Sequence, residues 1–122
     1  MKEQISNWIS LLCKEETPDS DIVALNFGLF ESPAGFSLYL IGSHEYDAED
    51  DDWACYVDYE PKRKYLEINN LGNSNIESNS FLQVVVEIIS DLMQKTEISE
   101  STLFHNRIIT IGFDDGELIR IK

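Results

Sequence analysis

Residues Phe81 to Gln94 read FLQVVVEIISDLMQ, and whether they form a strand or a helix decides the fold. Val84, Val85 and Val86 are β-branched and favour a strand. Length and spacing favour a helix. Phe81, Leu82, Val85, Val86, Ile89, Leu92 and Met93 recur at three- and four-residue intervals as one wide apolar stripe, opposite Glu87, Ser90, Asp91 and Gln94. That spacing predicts an amphipathic helix packed by one face. Ser78 or Asn79, just ahead of the apolar run, is the expected N-cap.

Working outward, the polar run Asn69 to Ser80 reads as a surface loop. Tyr65 to Asn69 reads as a short strand with Leu66 and Ile68 pointing one way. Before it, Trp53 to Tyr59 alternates Trp53, Cys55, Val57 and Tyr59 against Ala54, Tyr56 and Asp58, which predicts a strand with the first set on the core. Phe36 to Ser43 is apolar on both faces, the pattern of an interior strand. Ile22 to Phe30 is the first strand, with Val23, Leu25, Phe27 and Leu29 on one face, and Ser32 to Gly35 turns the chain between these two. The four strands together suggest an antiparallel meander. At the start, Ile5, Trp8, Ile9 and Leu12 mark a helix over Lys2 to Lys14, and Pro18 lies in the loop that ends it.

Downstream, Lys95 to Asn106 shows no period and is expected to be a connection. Arg107 to Phe113 and Glu117 to Ile121 read as strands joined at Asp115-Gly116, a strong hairpin signal. The order is α-ββββ-α-ββ. A single α+β domain over residues 1–122 is expected, with two helices on an antiparallel or mixed sheet of about six strands.

At 122 residues, with 43% hydrophobic and 26% charged, the chain has the composition of a folded globular protein with one core. The opening MKEQISNWISLLCKEE lacks the pattern of a signal peptide, and no apolar run reaches the length of a membrane span, so a cytoplasmic location is expected. Cys13 and Cys55 are too few for a disulfide framework or a zinc site and are expected as buried thiols.

The net charge of −14 is unevenly placed. From Glu15 to Pro61 there are thirteen acidic residues and no lysine or arginine, whereas the rest holds ten acids and nine bases. Phosphate contacts need basic side chains, so binding to nucleic acid or an anionic membrane is disfavoured. A basic protein partner is favoured.

The charge is densest in YDAEDDDWACYVDY, Tyr46 to Tyr59. Counted from Asp47 as a calcium loop, its sixth and twelfth positions hold Asp52 and Asp58, where an EF-hand needs glycine and glutamate. His44 and His105 sit in no catalytic motif, and no phosphate loop or nucleophile elbow is present. No catalytic residue, metal site or cofactor is assigned, and no enzymatic activity is expected. A solvated acidic loop is the plain reading of the run. Its aromatic neighbours suit an interface instead, where rings supply contact area and charge supplies steering. Trp53 and Tyr59 are expected in the core, with Tyr56 exposed beside Asp58. Asp114 and Asp115, with Glu117, form a second acidic cluster at the C-terminal hairpin. The candidate partner-binding residues are therefore Tyr46, Asp47, Glu49, Asp50, Asp51, Asp52, Tyr56, Asp58, Asp114 and Asp115.

Gly42 to Ile68 (GSHEYDAEDDDWACYVDYEPKRKYLEI) and Ile108 to Lys122 (IITIGFDDGELIRIK) resemble the small acidic immunity proteins of bacterial polymorphic and contact-dependent toxin systems. The resemblance implies a protein that binds a cognate toxin domain, often a basic nuclease, and blocks its active site or substrate groove. It carries over no binding residues. Two alternatives stand beside it: a nucleic-acid-mimic or anti-restriction inhibitor, which needs carboxylates in a long double track, and an acidic interaction module unrelated to toxins.

Overall fold

A computed structural model describes every residue except Ala34, residues 70–76 and Asp115. The elements run α1 (Lys2–Glu15), β1 (Ala24–Ser32), β2 (Gly35–Ser43), a 3₁₀ turn (Asp51–Cys55), β3 (Tyr65–Asn69), α2 (Ser78–Met93), α3 (Thr96–Ser99), β4 (Ile108–Phe113) and β5 (Ile119–Arg120). The fold is α+β with one mixed sheet, ordered β3-β2-β1-β4-β5. β1 pairs antiparallel with β2 and parallel with β4.

The ambiguous stretch is helical. Within α2, Phe81, Val85, Ile88, Ile89, Leu92 and Met93 are buried at helical spacing, while Val84 points outward. Neither expected N-cap acts as one. Glu77 takes that position without a side-chain bond, and Ser78 Oγ instead donates to Glu31 Oε1 at 2.8 Å, tying the helix start to the end of β1. The first helix matches its expected face, with Ile5, Trp8, Ile9 and Leu12 buried.

Both long helices cover one face of the sheet. Leu25, Phe27 and Leu29 of β1, Phe36, Leu38 and Leu40 of β2, and Ile109 and Ile111 of β4 join them in one apolar cluster. Phe27 is at its centre, with ring centroids 6.0 Å from Trp8 and 6.1 Å from Phe104, and Phe36 stacks on Phe81 at 4.1 Å. The connection 95–106 is more than a link. The single-turn helix α3 and the turns after it bury Ile98, Leu103 and Phe104, too irregularly spaced to show a period.

Beyond the N-caps, and beyond α3, a third helix where two are expected, two expectations about the strands need correction. Five strands are described, not six, because Trp53 to Tyr59 is not a strand. β3 takes the β2 edge from Gly35 to Tyr39, and of the 53–59 segment only Asp58 and Tyr59 bond to β2, at Gly42 and Ser43, with Tyr59 in an isolated bridge to Gly42. Asp50 instead accepts from the Asp52 amide at 2.9 Å and starts the 3₁₀ turn, so the period of two is lost. Trp53 is buried as expected and Tyr59 is half-buried, but Cys55 and Val57, placed on the core face by the alternation, are exposed. Cys13 is half-buried, and burial raises its thiol pKa. The second correction is Arg107, expected to open a strand. It lies just before β4, buried, and its guanidinium donates to the carbonyls of Pro18, Asp19, Ile22, Thr102 and Leu103 at 2.6–3.2 Å. One side chain thus ties the loop before β1 to the loop before β4.

Candidate functional site

The face of the sheet turned away from the helices carries the candidate site. Cross-strand register sets Tyr65, Tyr39, Gly28 and Gly112 in one row, and Ile41, Asn26, Thr110 and Arg120 in the next. Thr110 Oγ1 donates to Asn26 Oδ1 at 2.8 Å, which satisfies the buried polar pair in the floor. Both glycines have a reason to lack a side chain. A Cβ on Gly28 would lie 2.0 Å from Tyr39 Cζ, so the Tyr39 ring lies flat across β1, and its hydroxyl donates to Asp114 at the end of β4. Burial, and then the bond to Asp114, hold the Tyr39 phenol above the ordinary tyrosine range. On Gly112 a Cβ would meet the Glu117 carbonyl at 2.6 Å, so the return after β4 folds close over the sheet.

That return meets the acidic loop. The Leu118 amide donates to Asp51 Oδ2 at 3.2 Å, and the Arg120 guanidinium lies 5.8 Å from the Tyr46 ring centroid. Tyr46 packs edge-on against Trp53 at 5.3 Å, which fastens the loop to its buried tryptophan. Between loop and return an open cleft of about 800 Å³ forms, with Asp51 and Asp52 on one wall and Asp114 on the other. Phe30, Tyr39 and Tyr65 line it, with centroids 6.1–6.3 Å apart. Lys64 places its ammonium 5.1 Å from the Tyr65 ring and 5.8 Å from the Tyr39 ring, while pairing with Glu60 at 2.7 Å. The bond to Glu60 is the main cause of its raised pKa.

The ten sequence candidates separate into groups. Asp51, Asp52 and Asp114 share the cleft. Tyr46, Asp47, Asp50 and Tyr56 line a second groove of about 750 Å³, which Asp52 also borders, and Tyr56 is 57% exposed as expected. Glu49 is exposed, its amide bonded to Asp47 Oδ1 at 2.9 Å. Asp58 is a clamp: it accepts from the His44 amide at 2.9 Å and from Ser43 Oγ at 3.3 Å. Asp115 lies outside the described residues. Sequence reasoning left Phe30, Tyr65 and Lys64 out of the candidates; the signal that could have found them is Gly28, since a glycine inside a strand marks a close approach from above.

The bond from the His44 amide is the first cause that lowers the Asp58 pKa. A depressed folded pKa contributes stability above the unfolded value, lost as pH falls through the folded one. Asp58→Asn is therefore expected to differ from the parent in thermal midpoint near neutral pH and to converge with it below the ordinary aspartate range. A constant difference across that range would show that the clamp works without its charge.

Among the described residues no three His, Cys, Asp or Glu side chains converge to hold a metal ion. No helix among them is long and apolar enough to cross a membrane. Compared with known proteins, the chain matches no family model, no curated protein and no solved structure.

Proposed function

We propose that the protein is a binding module for a basic protein, and that the partner is the toxin domain the resemblance to immunity proteins implies, neutralised by occlusion of its active site or substrate groove. One observation carries this reading. Asp51 and Asp52 from the acidic loop and Asp114 from the end of β4 flank a single cleft, and among the described residues none has a lysine, arginine or histidine within ion-pair distance. Clustered like charges destabilise a compact state unless an opposite charge relieves them, and a basic partner supplies that relief. The compact grouping around a cleft and one loop favours this over a phosphate-mimicking double track.

The test starts from affinity capture of the partner in the native host, followed by surface plasmon resonance on the captured protein. Asp51, Asp52 and Asp114 changed together to Asn should slow association roughly tenfold at low ionic strength, with the difference shrinking as salt is added. The thermal midpoint should be maintained. Association rates that ignore both the substitutions and the salt would remove the electrostatic basis of the reading.

A further inference from the structure

We infer that the cleft between the 3₁₀ turn and the β4–β5 return takes an arginine side chain from an extended segment of the partner. The inference rests on the proposed binding of a basic protein and adds where one residue of that protein sits. Carboxylates alone would accept any cation. What narrows the choice is the aromatic surface between them: Tyr39 lies flat over Gly28, Tyr65 is 56% exposed beside it, and Phe30 closes the group. The Lys64 ammonium already stands over both tyrosines, so an incoming cation meets the remaining exposed part of Tyr65 and the edge of Phe30. Glu60 compensates the Lys64 charge at 2.7 Å, and among the described residues Asp51, Asp52 and Asp114 have no ion-pair partner.

A guanidinium fits this pairing of walls and floor better than an ammonium. It is planar, stacks on an aromatic face, and presents paired N–H donors to one carboxylate. Asp52 is the natural acceptor, because Asp51 already accepts from the Leu118 amide and Asp114 from the Tyr39 hydroxyl. The volume of about 800 Å³ exceeds a single side chain and accommodates a short stretch of backbone on either side of it.

The probe is the tripeptide acetyl-Gly-Arg-Gly-amide, compared with the same peptide carrying lysine or citrulline, titrated into the full chain at low ionic strength. Amide NMR shifts should saturate in the millimolar range, on the order expected of so small a ligand. The largest should fall on Gly28, Gly112 and Leu118. Arginine should bind at least about threefold more tightly than lysine, and the uncharged citrulline should not saturate. Asp52→Asn and Tyr65→Ala should each weaken the arginine peptide by about fivefold, while Glu87→Gln, exposed on α2, should leave it unchanged. Equal affinity for arginine and lysine, shifts centred on residues 47–50, or no saturation would each overturn the inference. None of those results would disturb salt-dependent capture of a basic protein, so the two readings fail separately.

Discussion

Replacing Arg107 by methionine is expected to cost the fold about 3–5 kcal/mol, read as a lower urea midpoint with an unchanged slope. The guanidinium is buried, among the described residues without a carboxylate partner, and burial lowers its pKa. Its charge is instead spread over five backbone carbonyls at 2.6–3.2 Å. Methionine fills similar space but removes these donors; the Asp19 carbonyl keeps the Ile22 amide at 3.0 Å, and the other four are left as acceptors that each cost about 1–3 kcal/mol where buried out of reach of water. Lysine keeps the charge but lacks the fork, so Arg107→Lys should recover only part of the loss. A loss below about 1 kcal/mol for Arg107→Met would show that solvent reaches the freed carbonyls. Against a typical total of about 5–15 kcal/mol, the predicted loss is large enough to expose the chain to proteolysis.

Gly28→Val sets two effects against each other. Intrinsic strand preference favours valine by up to about 1 kcal/mol. The added Cβ, however, would sit 2.0 Å from Tyr39 Cζ, so the ring must leave β1 and its bond to Asp114. Overpacking of this kind costs about 1–3 kcal/mol, and a net destabilisation is the expected result. The substitution should be much less costly in a Tyr39→Ala background, because the clash is then absent. A double-mutant cycle by urea denaturation measures this directly. Additive effects of the two substitutions would mean that Tyr39 does not depend on Gly28.

Most of the elements are legible in the sequence because periodicity reports burial. The stripes of α1 and α2, the alternation of β1 and the doubly apolar run of β2 follow from which residues must leave water. The segment from Trp53 to Tyr59 shows where this stops. Its alternation is as regular as that of a true strand, but strand formation also needs a neighbouring edge: Tyr59 bridges Gly42 antiparallel, and in that register the residues before Asp58 run past Ser43, where β2 ends. Where a partner strand ends is a tertiary matter that the segment itself does not record. The candidate site divides in the same way. Tyr56 is exposed, and Trp53 buried, as local chemistry suggests. The meeting of Asp51 with Asp114 depends instead on β4 lying parallel beside β1 and on the return passing over Gly112.

The parallel pairing of β1 with β4 also orders events in time. Ala24 pairs with Ile108, and until that partner is synthesised β1 has hydrogen bonds along one side only. Contacts so far apart in the chain form late, after the β1–β2 hairpin and the helices have had time to appear. A nascent chain therefore presents an unpaired apolar edge during translation, where it is exposed to mispairing and to chaperones. The wall carrying Asp114 arrives with the strand that seals that edge, so the cleft and the sheet are completed in one step.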